Sequence, residues 1–240
     1  MKIYYIYHSC FLIETESSFL IFDYFKDKRD FNQDFEFKDV LSQVFKSHKP
    51  LYVFSSHSHQ DHFSNEILTW SSKKKDTYYI LSSDIKLYTK VENSYTMRKN
   101  EDASINNLRI STFDSTDEGI SFLVTVDNMS IFHAGDLNWW KWMDDTPEEE
   151  KLMEGSFKGV IKNILIKDVE IDVAFFPVDG RLEENYSSGG KYFIEQIAPK
   201  VFIPMHFWDN FNITHDFKES CQTPRTRIIE ITHNNETLHI

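Results

Sequence analysis

Six consecutive residues, His57-Ser58-His59-Gln60-Asp61-His62, carry the strongest chemical signal in this sequence. They supply three imidazoles and one carboxylate directly after the apolar residues 51–54. Imidazole suits zinc, copper, iron or nickel, and a carboxylate extends the choice to manganese. As a plain polar loop the segment would be unfavourable, because closely packed imidazoles repel one another when protonated. The segment therefore predicts a metal site.

The spacing within this segment indicates ligands for two metal ions. His57 and His59 are two residues apart, so in an extended chain they point the same way and can share one metal. Asp61 and His62 lie at the turn into the next element and can face a second metal. Two metals about 3.5–4 Å apart hold a hydroxide that attacks a carbonyl or phosphorus centre. Such chemistry needs no serine or cysteine nucleophile.

The same arrangement, an apolar strand followed by metal-capable residues, recurs twice. Residues 131–136 end in Asp136, and residues 201–206 end in His206. Strand ends are where a rigid sheet brings ligands from distant parts of a chain together. Asp136 is a candidate bridge because a carboxylate can offer one oxygen to each metal, and His206 would complete the second site.

These motifs resemble those of the metallo-β-lactamase superfamily. The six-residue segment is similar to the H-x-H-x-D-H signature, Ala134-Gly135-Asp136 to the G-D strand end, and Pro204-Met205-His206 to the late histidine. Residues 8–14 resemble the N-terminal strands of one branch, which holds L-ascorbate-6-phosphate lactonase-like and N-acyl-phosphatidylethanolamine phospholipase D-like proteins. The resemblance spans residues 3 to 206. It implies an α+β fold, the four-layer αββα sandwich, with a dinuclear site at one edge of the sheets.

The resemblance also implies a ligand assignment. The first metal is expected at His57, His59 and a third ligand, and the second at Asp61, His62 and His206, with Asp136 as the bridge. Asp61 and Asp136 are the expected catalytic carboxylates. The family places a third histidine ahead of its G-D motif. Here the one histidine between His62 and Asp136 is His133. We therefore prefer His133 as the third ligand of the first metal and keep Asp117 as the alternative. Two divalent ions are expected, Zn²⁺ first, with Mn²⁺ or Fe²⁺ favoured if a carboxylate takes that position.

Three further residues are candidate substrate contacts. His8 approaches the site in this branch of the family, Asp179 follows a predicted strand, and Trp139 belongs to an aromatic cluster of the kind that lines substrate pockets. Each has a plainer interpretation. His8 can be an ordinary buried or surface histidine, Asp179 part of a turn, and Trp139 part of a buried helix face.

The elements expected to position these residues follow from hydrophobic periodicity. Strands are predicted at residues 2–7, 10–14, 19–22, 51–54, 78–81, 108–113, 120–126, 129–133, 173–176, 201–203 and 228–231. Helices are predicted at residues 39–46, 65–75, 84–90, 138–167, 190–197 and 217–220. Strand–helix alternation occurs twice, which indicates two similar halves around a shared core. We expect a single domain over residues 1–240.

Composition limits the functional classes. The 240 residues are 40% hydrophobic and 15% aromatic, which is ample for a large core. Only two cysteines are present, which favours free thiols and a cytoplasmic location. Neither a signal peptide nor a membrane span is predicted. The net charge of −12 disfavours nucleic acid as a partner.

The sequence therefore predicts a metal-dependent hydrolase that uses a metal-bound hydroxide on a small ester, lactone or phosphodiester. An RNA-processing or other nuclease of the same superfamily is one alternative. A metal-binding sensor or scaffold without turnover is another. The expected partner is a small-molecule substrate, and a homo-oligomer is left open.

Overall fold

Short runs rich in Ile, Tyr, Phe and Val form two seven-stranded sheets in the computed structural model, which describes residues 1–25 and 35–240. The chain divides into a first unit, residues 1–97 with 233–240, and a second unit, residues 98–232. Each sheet lies within one unit. The expectation of a single domain over residues 1–240 stays a prediction.

Strands dominate the first half of the described chain, and most of the α-helices lie in the second half. The early strands and first helix are β1 (Lys2–Tyr7), β2 (Cys10–Glu14), β3 (Phe19–Phe22), α1 (Phe35–Lys46), β4 (Leu51–Ser55), β5 (Thr77–Ser82) and β6 (Ser94–Met97). The next strands are β7 (Asp102–Ile105), β8 (Leu108–Asp114), β9 (Ile120–Val126) and β10 (Met129–His133). The remainder is α2 (Pro147–Ile166), β11 (Val173–Pro177), α3 (Ser188–Ile197), β12 (Val201–Met205), α4 (Asn212–Ser220), β13 (Arg227–Ile228) and β14 (Thr237–His239). Two 3₁₀-helices cover Asn65–Ser72 and Gly180–Asn185.

The two sheets share one pairing pattern. The strand order of the first sheet is β14-β1-β2-β3-β4-β5-β6. The strand order of the second sheet is β7-β8-β9-β10-β11-β12-β13. In both, the first three pairs along this order are antiparallel and the last three are parallel. The parallel strands of each sheet therefore end at the same edge, which is where the predicted ligands follow.

Helix α1 covers one face of the first sheet. Its Val40, Leu41, Val44 and Phe45 pack on a core to which the strands contribute alternate residues, such as Leu51 and Val53 of β4. All four residues lie within the helix predicted at residues 39–46. Tyr52 and Phe54, which point to the opposite face, are also fully buried, so β4 is covered on both faces.

Aromatic side chains form the core of the second unit. Phe193 of α3 lies 5.3 Å from Phe132 and 4.6 Å from Phe176, measured between ring centroids. Phe157 of α2 contacts Phe176 at 6.3 Å. These contacts fix α2 and α3 against the central strands β10 and β11, and so hold the ends of those strands in place.

Several predicted elements differ from the observed ones. Residues 84–90 form an irregular segment with bends instead of a helix, and the helix predicted from residue 138 begins at Pro147. A capping box explains that start, since the Thr146 side chain accepts from the Glu149 N–H and the Glu149 side chain accepts from the Thr146 N–H. The helix predicted from residue 65 is a 3₁₀-helix, and the Ser64 side chain caps its N-terminus by accepting from the Glu66 N–H. Strands β6, β7 and β14 were not predicted.

Both cysteine thiols are free, as expected. Among the residues described, none of the helices has the length and apolar character needed to cross a membrane.

Candidate metal centre

The loop after β4 brings the imidazoles of His57 and His59 together. The His57 Nε2 and His59 Nδ1 atoms are 2.9 Å apart, which agrees with the shared direction expected from their spacing. His57 is fully buried, and its Nδ1 lies 3.0 Å from the Ser56 hydroxyl, whereas His59 is exposed. The Ser58 N–H donates to Asp84 at 2.7 Å, which fixes the loop at its centre.

A second group in the first unit joins Asp61 and His62 to His8. The Asp61 Oδ2 atom lies 3.6 Å from His8 Nε2 and 3.9 Å from His62 Nε2. These three ligand atoms all lie within 4.8 Å of one another, close enough to hold one metal ion. His8, which was expected to contact substrate, is thus placed among candidate ligands.

A buried carboxylate stands behind His62. The Asp23 Oδ2 atom lies 2.7 Å from His62 Nδ1, and the Ser56 hydroxyl and N–H each donate to the Asp23 carboxylate at 2.7 Å. A carboxylate that accepts from one ring nitrogen fixes the tautomer and leaves the other nitrogen as a metal ligand. Sequence reasoning missed Asp23. The signal was present, because Asp23 directly follows the apolar strand β3, as His57 follows β4 at the same sheet edge.

The second unit repeats this arrangement around His206. Its Nε2 lies 3.3 Å from Asp136 Oδ1, and its Nδ1 lies 2.9 Å from Asp179 Oδ2. Asp136 follows β10, Asp179 follows β11 and His206 follows β12, so three adjacent parallel strands position the three side chains. All three side chains are buried.

Asp179 was expected to contact substrate, but its carboxylate is engaged within the protein. Besides His206, it accepts from Arg181 through Nε at 2.9 and 3.0 Å, and Arg181 Nη2 also donates to it. The Asp179 side chain also caps the 3₁₀-helix by accepting from the Arg181 N–H. Its position is that of a residue that orients His206.

A cavity of about 300 Å³ in the second unit adjoins these residues. Its lining combines candidate ligands, aromatic rings and one cationic side chain: Thr116, Asp117, Asp136, Trp140, Trp142, Met153, Arg181 and His206. Asp117, the alternative third ligand, is therefore on the same cavity as Asp136 and His206. Trp140 donates its indole N–H to the Asp136 carbonyl at 2.8 Å, which links the wall to the ligand loop.

Three predicted site residues of the second unit are not part of this lining: Asp179, His133 and Trp139. His133 is fully buried, and its Nδ1 accepts from the Gly135 N–H at 3.2 Å. Trp139 packs between helices, with its ring 5.9 Å from that of Phe157 and 6.0 Å from that of Tyr192. Its neighbours Trp140 and Trp142 line the cavity instead.

In each unit, carboxylates lie next to histidines, and these contacts shift pKa values. Burial opposes ionisation of Asp61, but the hydrogen bond to His8 and the charge of His62 hold the pKa of Asp61 below its usual range. Burial likewise disfavours the charged form of His206, yet Asp136 and Asp179 raise the pKa of His206 to about 10. In these pairs, protons on the histidines offset the charge of the neighbouring carboxylates. A divalent cation can replace those protons, because metal binding displaces protons from the ligands.

Backbone conformation adds evidence that these positions are specialised. His8, Asp23 and His206 adopt φ values of 55°, 47° and 66°, in the left-handed region that non-glycine residues rarely occupy. Such conformations cost about 1–3 kcal/mol each and concentrate at functional sites. His8 and His206 are candidate ligands, and Asp23 holds the ring of the candidate ligand His62.

The donor set fits divalent metal ions. Each unit offers imidazole Nε2 and carboxylate oxygen at short range, the donors that zinc, iron and manganese accept. In each unit, one histidine also has its other nitrogen held by a buried carboxylate, the usual support of a metal-bound imidazole. The ligand residues present are therefore chemically suited to hold the metal that the sequence predicts.

Two curated relatives are described as metal-dependent hydrolases. The chain is 24% identical over 251 residues to a UPF0173 metal-dependent hydrolase of Alkaliphilus metalliredigens, covering 96% of this chain and 97% of that protein. It is 25% identical over 221 residues to the UPF0173 metal-dependent hydrolase NEQ378 of Nanoarchaeum equitans, covering 86% and 84%.

A solved structure and a family model identify the fold and the family. Igni18, described as a novel metallo hydrolase from Ignicoccus hospitalis, superposes with a TM-score of 0.60 at 15% identity, covering 99% of this chain and 97% of that one. This likeness and the matched family confirm the α+β fold class of the metallo-β-lactamase αββα type. The model of the β-lactamase superfamily domain matches residues 2–140. Because residues 2–140 make up more than half of this chain, the chain belongs to the metallo-β-lactamase group of the β-lactamase superfamily.

Proposed function

We propose that this protein is a metal-dependent hydrolase that acts on a small ester, lactone or phosphodiester. The observation that carries the proposal is the pair of supported histidines, one in each unit. Asp23 holds His62 at 2.7 Å, and Asp179 holds His206 at 2.9 Å. A protein that used these histidines only for packing would not need a buried carboxylate behind each ring.

We propose the ligand assignment that the sequence predicts. His57 and His59 serve one metal, Asp61, His62 and His206 serve the other, and Asp136 is the bridge. His8 joins the candidates because its Nε2 lies 3.6 Å from Asp61. The third ligand of the first metal is either His133 or Asp117. The bond from Gly135 to His133 Nδ1 leaves only Nε2 for a metal, whereas Asp117 lies on the cavity.

Several residues of the chain orient the proposed ligands and shape the cavity. Asp23 and Asp179 each fix a ring so that the histidine presents Nε2 as a lone-pair donor. A bound divalent ion lowers the pKa of water and polarises a carbonyl or phosphoryl oxygen. Trp140 and Trp142 line the cavity together with Asp136 and offer apolar surface to a substrate. We assign Asp61 and Asp136 as the carboxylates that accept or return the proton of the attacking water.

Zinc is the first candidate metal, with manganese and iron as alternatives. Imidazole-rich donor sets suit zinc, and replacing His133 by Asp117 as the third ligand would shift the preference toward manganese or iron. Elemental analysis of the purified protein distinguishes these ions directly.

The test of the proposed function compares wild type with Asp136→Ala and an exposed control, Asp216→Ala. We expect wild type to contain divalent metal and to hydrolyse bis-p-nitrophenyl phosphate or a lactone. Asp136→Ala should lose metal and at least about a hundred-fold in kcat/KM, because both ligand and charge are removed. Asp216→Ala should match wild type. Full metal content and activity in Asp136→Ala would refute the assignment.

RNA-binding and hydrolysis assays distinguish the two alternative functions, a nuclease and a sensor or scaffold. A nuclease would bind RNA with an affinity that falls steeply with salt, whereas the net charge of −12 predicts weak, salt-insensitive binding. A sensor or scaffold would load metal fully yet hydrolyse none of the ester, lactone and phosphodiester substrates.

A further inference from the structure

The cavity of the second unit contains one cationic side chain that the proposed metal chemistry does not use as a ligand. Arg181 lines this cavity together with Asp136 and His206, and its side chain is 53% exposed. The cavity volume of about 300 Å³ lies at the lower end of the range for small-molecule sites. The location of Arg181 thus places a guanidinium beside the candidate ligands.

Arg181 is held in place from two sides. On one side its Nε and Nη2 atoms donate to the Asp179 carboxylate. On the other its guanidinium lies over the Trp142 ring, 5.9 Å from the centroid. A guanidinium fixed in this way loses little conformational entropy when a ligand binds. Because Asp179 occupies its Nε–Nη2 edge, a ligand oxyanion would meet the Nη1–Nη2 edge, which also matches a carboxylate or phosphate.

Aromatic rings connect Arg181 to the candidate ligand His206. Trp140 and Trp142 lie parallel, with an interplanar angle of 9° and centroids 6.1 Å apart. Trp140 in turn meets the His206 ring edge-on at 5.5 Å. The cavity lining therefore includes a pair of stacked tryptophans, of which Trp140 contacts the candidate ligand His206 and Trp142 contacts Arg181.

We propose that Arg181 binds an oxyanion group of the substrate, a carboxylate or a phosphate, while Trp140 and Trp142 pack against the apolar part next to it. The substrate class narrows to a small anionic ester, lactone or phosphodiester. This inference rests on the proposed function, because the carboxylates Asp117 and Asp136 also line the cavity and bound metal must balance their charge. Arg181 then makes the site prefer anionic substrates over neutral ones.

The test is a binding titration followed through tryptophan fluorescence on the metal-loaded protein. The probes are phenylphosphonate, benzoate and the neutral dimethyl ester of phenylphosphonate. We expect wild type to bind at least one anion more than ten-fold more tightly than the neutral ester. The stronger of the two anions identifies phosphate or carboxylate as the preferred group.

Variants at Arg181 assign this preference to one side chain. Arg181→Gln should weaken binding of the preferred anion by about ten- to hundred-fold, the usual effect of losing charge-assisted hydrogen bonds, and leave the neutral ester unchanged. Arg181→Lys, which keeps the charge but not the planar fork, should fall between. Arg225→Gln removes an exposed arginine elsewhere in the unit and should behave as wild type.

The outcomes separate this inference from the proposed function. Metal content is measured for each variant, because Arg181 also contacts Asp179 behind His206. Loss of metal in Arg181→Gln with an unchanged ratio of anion to neutral affinity would show a purely positioning role and overturn the inference. Wild type that shows no preference for anions also overturns it. Anion binding without hydrolysis of any substrate would contradict only the proposed function, whereas a protein that binds no divalent metal overturns both.

Discussion

At the scale of single residues, the main finding is a repeated pair of histidine and buried carboxylate. Asp23 is completely buried and accepts hydrogen bonds from the Ser56 hydroxyl and N–H and from His62. A fully buried carboxylate is costly unless its charge is compensated by hydrogen bonds or opposite charge. The side chain therefore has a purpose beyond packing, which we assign to orienting the His62 ring.

Asp23→Asn tests this role with little change in shape. The amide can turn an N–H toward His62 Nδ1, which would move the ring proton to Nε2 and block its lone pair. We expect the metal affinity to fall by about 10–100-fold, measured by titration against a chromophoric chelator. Asp216→Asn, on the exposed surface, serves as the control. Equal affinities for wild type and Asp23→Asn would show that Asp23 does not act on the metal.

Residue types and spacing predicted most members of the candidate site. The loop after β4 was found from its density of imidazoles, and Asp136 and His206 from their positions after strands. Asp23 was missed because a single aspartate after a strand resembles an ordinary turn residue. His8 was assigned to substrate because sequence spacing gives no measure of its distance to Asp61, which the fold sets at 3.6 Å.

At the scale of elements, helices α2 and α3 offer two glycines with opposite environments. A Cβ on Gly159 in α2 would meet nothing within 4 Å. A Cβ on Gly189 in α3 would lie 2.0 Å from Asn138 Oδ1 and 2.9 Å from the Trp139 backbone nitrogen. Gly189 thus allows α3 to approach the segment that follows Asp136.

These environments predict opposite effects for the same substitution. Gly159→Ala should raise the free energy of unfolding by about 0.5–1 kcal/mol, since alanine restricts the unfolded chain and favours helix. Gly189→Ala should lower it by about 1–3 kcal/mol through overpacking. Urea denaturation of both variants beside wild type measures the difference. A stabilised Gly189→Ala would mean that α3 shifts freely away from Asn138.

The aromatic core of the second unit gives a further prediction. Phe193 is fully buried between Phe132 and Phe176, so Phe193→Ala should cost about 3–5 kcal/mol of unfolding free energy. Leu152→Ala, on the exposed side of α2, should change it by less than about 0.5 kcal/mol. Urea denaturation of both variants measures the two losses, and similar losses would contradict the prediction.

Element prediction succeeded for buried segments and failed at sheet edges. Central strands such as β4 and β11 are continuous apolar runs and were found. Strands β6, β7 and β14 are short, partly polar and lie at the ends of the pairing order, so their sequences carry little strand signal. The start of α2 was misplaced because the aromatic residues after Asp136 suggested a helix, while the capping box at Thr146 sets the actual boundary.

At the scale of the whole molecule, metal loading should contribute to stability. A ligand that binds only the folded state stabilises it by about 2.7 kcal/mol at a hundred times its dissociation constant. For a chain of this size each kcal/mol corresponds to about 2–4 °C in Tm. The net charge of −12 adds to the effect, since divalent cations relieve repulsion among carboxylates.

We therefore expect EDTA to lower the Tm of wild type by about 5–10 °C, and zinc to restore it. Differential scanning fluorimetry measures the shift. Asp136→Ala should show a smaller response to EDTA than wild type, which controls for effects of the chelator itself. An unchanged Tm in wild type after proven metal removal would show that the ligands do not couple to folding.

The position of β14 in the first sheet has a consequence for synthesis on the ribosome. This strand pairs with β1, yet residues 98–232 separate it from β6 along the chain. Until the whole second unit has been translated, the outer edge of β1 keeps unpaired N–H and C=O groups, which can template association with other chains. A nascent chain halted near residue 232 should therefore aggregate or recruit chaperones more readily than one released with β14 in place.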